Sequence, residues 1–259
     1  MSGPEHSEAA TAVQCRFVRG RNALLCHGDF GPVFMDLYLH LGNLGVVLDG
    51  GADGKLKLLL AAVTLHAASR PRAETIAWTL HLEAERLNLF AVAENPTGRV
   101  MGQVFNRMVK SLPGNVLHAE TAVAGGGQRR SSVDFAGGGV IEAVAAFFAQ
   151  SEQRGARFFE LGGDCFALLT AQPDCDEEWL GAVTADEVAG LADERERPPL
   201  ETRSYRFECG CTPARIAAAI GPAVRGDIDG FFGHEDHVRV TCPRCGVVHE
   251  IGRSQFDAT

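Results

Sequence analysis

Toward the C-terminal end the chain carries Cys209-Gly210-Cys211 and, after thirty intervening residues (212–241), Cys242-Pro243-Arg244-Cys245-Gly246. Thiolates are soft donors, and zinc takes four of them in a tetrahedron with Zn–S of about 2.3 Å. A Cys-x-x-Cys at a tight turn presents both sulfurs to one ion, and Gly246 suits the backbone of such a turn. Cys-x-Cys is less common in structural zinc sites. It bites the metal more tightly and places two thiols where oxidation could join them. Two chemistries are thus open: a static zinc knuckle whose cysteines never change state, and a thiol set that responds to oxidants. His234, His237 and His249 lie nearby and could each substitute as a ligand, but four cysteines already complete the shell.

The other candidates for chemistry are weaker. Cys15, Cys26 and Cys165 sit in apolar, strand-like stretches and read as inert core residues. Cys175 lies between Asp174 and Asp176, whose charge raises a thiol pKa, so it is a poor nucleophile. No serine occupies a Gly-x-Ser-x-Gly elbow, and Ser151 reads as a helix-end residue. His81 and His118 read as satisfied strand histidines, and Trp78 as core. Gly54-Lys55 is the nearest approach to a nucleotide loop; it lacks the Ser/Thr after the lysine and has Asp49 where the first glycine belongs. A thiol oxidoreductase expects Cys-x-x-Cys to open a helix, whereas glycine and a second strand follow Cys245. No enzymatic activity is expected.

Around these residues the first two-thirds read as mixed α and β. Strands are expected over 13–18 and 22–25, either side of a turn at Gly20. Helices are expected over 33–44 and 57–68, with Gly50-Gly51-Ala52-Asp53-Gly54 as the break between them. Ile76, Trp78, Leu80 and Leu82 alternate with polar or small residues, the period of a half-buried strand. Further strands are read over 87–93, 100–105, 116–123 and 131–135, with tight turns that imply an antiparallel sheet. Val140, Val144, Phe147 and Phe148 form one helical stripe that ends at Ser151-Glu152-Gln153. Two strand-like runs follow, over 158–161 and 166–169. From 174 to 196 the chain is acidic and helix-compatible, and Pro198-Pro199 closes this linker. Strands over 238–240 and 247–251 are expected to form a hairpin carrying Cys242 and Cys245. The expected architecture is α+β: a mixed core with an antiparallel sheet (1–172), an acidic helical linker (173–203) and a small zinc-binding domain (204–259).

With 259 residues and 46 % hydrophobic content, the chain can bury a substantial core. No apolar run reaches the roughly 20 residues that span a bilayer, and the acidic start, Met1 to Glu8, does not read as a secretory signal. A net charge of −9 argues against the nucleic-acid backbone as main partner, because binding it needs clustered cations; Arg239, Arg244 and Arg253 form only a small local group. Eight cysteines in a chain of this length are not a secreted disulfide framework. In a reducing cytosol a clustered set reads as metal-binding or redox-active, and a cytoplasmic location is expected.

The Cys-x-Cys, thirty-residue gap and Cys-x-x-Cys arrangement, preceded by Phe207-Glu208, resembles the C-terminal zinc domain of the Hsp33 family of redox-regulated chaperones. Upstream, Phe147-Phe148-Ala149-Gln150-Ser151-Glu152-Gln153 followed by Ala156-Arg157-Phe158-Phe159 resembles that family's helix ending in Ser-Glu-Gln before a strand. The Asn95-Pro96-Thr97-Gly98 turn with its flanking strands resembles a strand pair of its core. The segment from Gln153 to Cys209 is shorter than the family's, and Gly155-Ala156 stands where Pro-Thr commonly follows, which marks a divergent branch. The resemblance implies an ATP-independent holdase for unfolding client proteins under oxidative stress, with no nucleic-acid or membrane partner and a homodimer admitted in the oxidised state. It further implies one zinc ion on Cys209, Cys211, Cys242 and Cys245 in the reduced, quiet protein. Disulfides Cys209–Cys211 and Cys242–Cys245 are then implied in the oxidised, active one. Apart from the resemblance, a static zinc-ribbon module for protein or nucleic acid stays open.

Overall fold

The computed structural model describes residues 10–106, 113–193 and 198–256; the acidic start of the chain and the end of the acidic segment (194–196) lie outside the described residues. The strands β1 (Thr11–Val18) and β2 (Ala23–Asp29) turn back on one another at Gly20. Helices α1 (Gly31–Leu44) and α2 (Gly50–Ala68) follow. Then comes the meander β3 (Glu74–Leu82), β4 (Leu87–Glu94), β5 (Arg99–Phe105), β6 (Asn115–Val123) and β7 (Gln128–Phe135). Helix α3 (Val140–Phe147) and a π-turn over Phe148–Glu152 lead into β8 (Ala156–Glu160) and β9 (Cys165–Ala171). Two short helices, α4 (Glu177–Ala182) and α5 (Ala185–Ala192), precede β10 (Glu201–Phe207).

These ten strands form one sheet in the order β7-β6-β3-β4-β5-β10-β1-β2-β9-β8. Every described pairing is antiparallel except β10 with β5, which is parallel, a departure from the wholly antiparallel expectation. It arises because β10 reaches the sheet from far along the chain and fills the gap between β5 and β1. The mixed α and β reading holds. Helix α2 is buried on almost every side from Ala52 to Ala68, as befits a helix apolar all round. His66, on α2, stacks on Trp78 and meets Phe147 and Phe148 edge-on. Beside them the buried Glu152 carboxylate faces Arg70, Arg129 and Arg154.

Two expectations are corrected. Gly50 to Gly54 is not a break but the first turn of α2. The Asp49 side chain accepts the Ala52 amide at 2.9 Å and Ala52 and Leu56 are buried, which together outweigh the helix cost of about 1 kcal/mol per glycine. Residues 204–208, expected in the C-terminal domain, belong to the first of two compact units, which divide between Glu208 and Cys209. The reason is packing: Tyr205 and Phe207 are buried and the Tyr205 hydroxyl donates to Asn95 Oδ1 at 2.7 Å.

The acidic linker is helical, as expected, and it is docked rather than loose. Leu180, Val183 and Val188 cover an apolar sheet face made by Val18, Ala23, Leu25, Phe159, Ala167, Leu169 and Ala171. Asp176 caps α4 through the Trp179 amide and pairs with Arg21, whose guanidinium lies over the Trp179 ring. Arg157 donates to the carbonyls of Gly181 (3.1 Å) and Val183 (2.5 Å) at the end of α4. A capping box of Thr184 and Glu187 starts α5.

The second unit holds α6 (Pro213–Val224), α7 (Ile228–Phe232) and the hairpin β11 (His237–Thr241) with β12 (Val248–Gly252). Its small core is Ile216, Ala217, Val224, Phe232, Ile251 and Phe256. Among the described residues no helix is long and apolar enough to cross a membrane.

Candidate metal centre

Each half of the cysteine cluster is placed by a local device. Cys211 directly precedes Thr212, whose hydroxyl accepts the Arg215 amide and caps α6, with Pro213 in the first turn. Arg215 Nη1 reaches back to the Gly210 carbonyl at 2.7 Å and fixes the Cys-x-Cys strap. On the hairpin, the Cys242 amide donates to the Val247 carbonyl (2.8 Å) and the Gly246 amide to the Cys242 carbonyl (2.9 Å). This closes the turn with Gly246 at φ +79°, a left-handed conformation that glycine adopts without strain.

The four sulfurs, all free thiols, lie within 4.8 Å of one another. Cys209 Sγ is 3.9 Å from Cys242 Sγ, and Cys211 Sγ is 3.5 Å from Cys245 Sγ. A tetrahedron with Zn–S of about 2.3 Å has sulfur–sulfur edges of roughly 3.8 Å, so the donor set fits one ion of that size. Cys242 and Cys245 are buried and Cys209 and Cys211 half-buried, which leaves one side of the cluster open to a small oxidant. Four thiols in contact cannot all ionise together. A hydrogen bond from Cys245 is the largest effect on Cys209; with the Cys211 amide and the Arg244 charge it holds that thiol down to about 5. Burial, then the negative charge on Cys209, pushes Cys211 up to about 12, and Cys245 is raised by its hydrogen bond to Cys209 and by burial. One stabilised thiolate among thiols is the electronic state that a thiophilic cation would complete by displacing the remaining protons.

Among the described residues the donor group consists of the four cysteines that the sequence spacing picks out. His249 Nε2 lies 3.1 Å from Cys211 Sγ. Toward a thiolate, which only accepts, the imidazole donates, so its position suits support of a ligand rather than replacement. Its placement was legible in the alternation that puts it two residues before the buried Ile251. Sequence reasoning missed Arg215 and, for Arg157 and Gly155, their place in the linker's seat. A Cβ on Gly155 would meet Glu177 Oε2 at 2.8 Å and Leu180 Cδ2 at 2.9 Å, so glycine here leaves room for these two side-chain ends of α4. Elsewhere, burial and then nearby carboxylates raise the Cys165 and Cys175 thiols, in keeping with their reading as unreactive.

No family sequence profile matches the chain. The curated 33 kDa chaperonin of Photobacterium profundum is similar, with 26 % identity over 151 residues, a stretch that covers 49 % of this chain and 52 % of that protein. The chain therefore spans about half the length of the curated relative it matches. Among solved structures, the 33 kDa chaperonin (heat shock protein 33 homolog) of Thermotoga maritima shares the fold. Its TM-score is 0.69 at 14 % identity, with 95 % of this chain and 96 % of that one covered.

Proposed function

From the premise that this chain is a relative of the Hsp33 family, we propose that it is an ATP-independent holdase of the cytoplasm, silent when reduced and switched on by oxidation. The observation that carries the reading is the seat of the linker: α4 and α5 cover a sheet face composed of apolar side chains, and the four-cysteine unit lies shortly after them in the chain. A contiguous apolar surface of that kind, once bared, is what holds unfolding proteins.

Cys209, Cys211, Cys242 and Cys245 are the ligands; four sulfurs within 4.8 Å of one another and the depressed Cys209 thiol support zinc as the ion. When bound, zinc cross-links the two ends of a unit too small to be stable on its core alone, supplying on the order of 10 kcal/mol of folding free energy. Peroxide or hypochlorous acid removes two electrons from each cysteine pair, forming Cys209–Cys211 and Cys242–Cys245 and taking away all four donors. The second unit then loses its fold. The linker helices are short, and among the described residues their buried apolar anchors are Leu180, Val183 and Val188, with Trp179, Ala185, Leu191 and Ala192 packed half-buried beside them. With the second unit unfolded they come off the sheet as a local opening, and the bared face binds unfolding clients, with a homodimer formed in that state.

The test is a peroxide titration of the reduced, zinc-loaded full chain, following metal release with a chromogenic chelator and then suppression of aggregation of a thermally unfolding client. Release of one equivalent together with onset of suppression is expected. If zinc stays bound, or leaves without suppression, the chain is a static zinc module.

A further inference from the structure

Cys15 and Cys26 face one another across the β1–β2 ladder. Directly opposed residues of an antiparallel pair have Cα atoms about 4.5 or 5.5 Å apart according to the pairing type, and a disulfide spans about 4.4–6.8 Å. Either pairing type therefore brings the two thiols within bonding reach. Both are buried, with 5 % and 1 % exposure. They sit under the C-terminal end of α2, where the Cys15 thiol donates to the Ala68 carbonyl at 3.6 Å. A hydrogen bond with Cys15, then burial, hold the Cys26 thiol well above its usual range. The closed core thus keeps a thiol pair in contact and chemically quiet.

We propose that Cys15 and Cys26 are a second redox pair, which closes into a cross-strand disulfide stapling β1 to β2 when peroxide reaches the buried pair beneath α2. One sulfur is oxidised by peroxide to a sulfenic acid with loss of one water. The other sulfur attacks it, the S–S bond forms, and a second water leaves, so two electrons pass from the thiol pair to one peroxide. The bond itself does not depend on the holdase reading; its use does. The opposite face of the same two strands, Val18, Ala23 and Leu25, lies under the linker helices. A hairpin stripped of that cover keeps its register if a covalent bond joins its strands.

The experiment treats the full, zinc-loaded chain with hydrogen peroxide for increasing times. Remaining thiols are then alkylated under denaturing conditions, and tryptic peptides are mapped by mass spectrometry. Arg16, Arg19 and Arg21 separate the two cysteines, so the disulfide joins two tryptic peptides that reduction parts again. The linked pair is expected to appear only after the four clustered cysteines have reacted, because both sulfurs are buried and the raised Cys26 thiol is little ionised. Slower amide exchange over residues 11–29 of the oxidised chain, lost in Cys15→Ala, is expected with it. Full alkylation of Cys15 and Cys26 after the other four have oxidised, or their linkage to different partners, overturns the proposal. Zinc release and client protection without the linked peptide sink this pair alone; the linked peptide without zinc release sinks the switch alone.

Discussion

At the scale of single residues, the candidate metal centre depends on side chains that do different work at similar distances. Cys242 and Cys245 come from a turn closed by two backbone hydrogen bonds, and Cys209 and Cys211 from a strap held by Arg215. Removing one buried sulfur leaves three donors and an open position, a geometry that holds structural zinc weakly. Cys242→Ser is accordingly expected to leave the purified chain without a stoichiometric equivalent of zinc by elemental analysis; a full equivalent would show that the ligand set is wrong. The gathering of the four sulfurs was legible in the sequence because their spacing is a local property, written in Cys-x-Cys and Cys-x-x-Cys. The support of Cys211 by His249 was legible only through strand alternation. The Cys15 and Cys26 pair was not legible at all, since their juxtaposition depends on the register of β1 on β2 and neither residue carries it in its neighbours.

At the scale of elements, strands announced themselves by alternation and α3 by its stripe, so their places were read to within a few residues. Helix α2 was read short because glycine propensity hides a helix start that a capping aspartate and burial decide. The inclusion of β10 in the sheet could not be read, because its partners β5 and β1 lie some 100 or more positions away in the chain. The linker's docking was equally hidden: Leu180, Val183 and Val188 look like ordinary helix residues until the face beneath them is known. That docking makes a defined prediction. Gly155→Val would drive a branched side chain against Glu177 and Leu180, at an overpacking cost of about 1–3 kcal/mol. The variant should bind zinc fully, yet show faster limited proteolysis within 173–193 and measurable client protection without oxidant. Unchanged proteolysis would mean that α4 does not rest on Gly155.

At the scale of the whole molecule, the two units have different sources of stability. The first has a large core, whereas the second relies on six apolar side chains and its cysteine cluster. Chelation of the reduced chain is expected to abolish the protected amides of α6 and β11–β12 while those of β3, β4 and α2 persist, by hydrogen exchange; a uniform loss would show that the units do not melt separately. Acid acts on the first unit. Burial, then the charge of Arg70, lowers His66 well below its usual value, and burial with Arg16 lowers His27. In the unfolded chain both protonate near pH 6.5. The unfolded state therefore binds more protons below that pH, and stability falls as pH drops through 6.5 toward the folded values. His66 contributes at most about 1.4 kcal/mol per pH unit across that window. His66→Phe should flatten the change in urea midpoint between pH 7.5 and pH 5; an unaltered slope would assign the acid sensitivity elsewhere.

The position of Trp179 carries a consequence of its own. The chain has two tryptophans: Trp78, fully buried against His66, and Trp179, half-buried on α4 beneath the Arg21 guanidinium. Both tyrosines, Tyr38 and Tyr205, also precede Cys209, so the second unit has neither chromophore. The molecule is thereby wired with its own optical gauge, blind to the four-cysteine unit and sensitive to the segment that covers the sheet. In a Trp78→Phe background, oxidation should shift emission to the red as the remaining indole meets water, at the moment the cover lifts and before the sheet itself has moved.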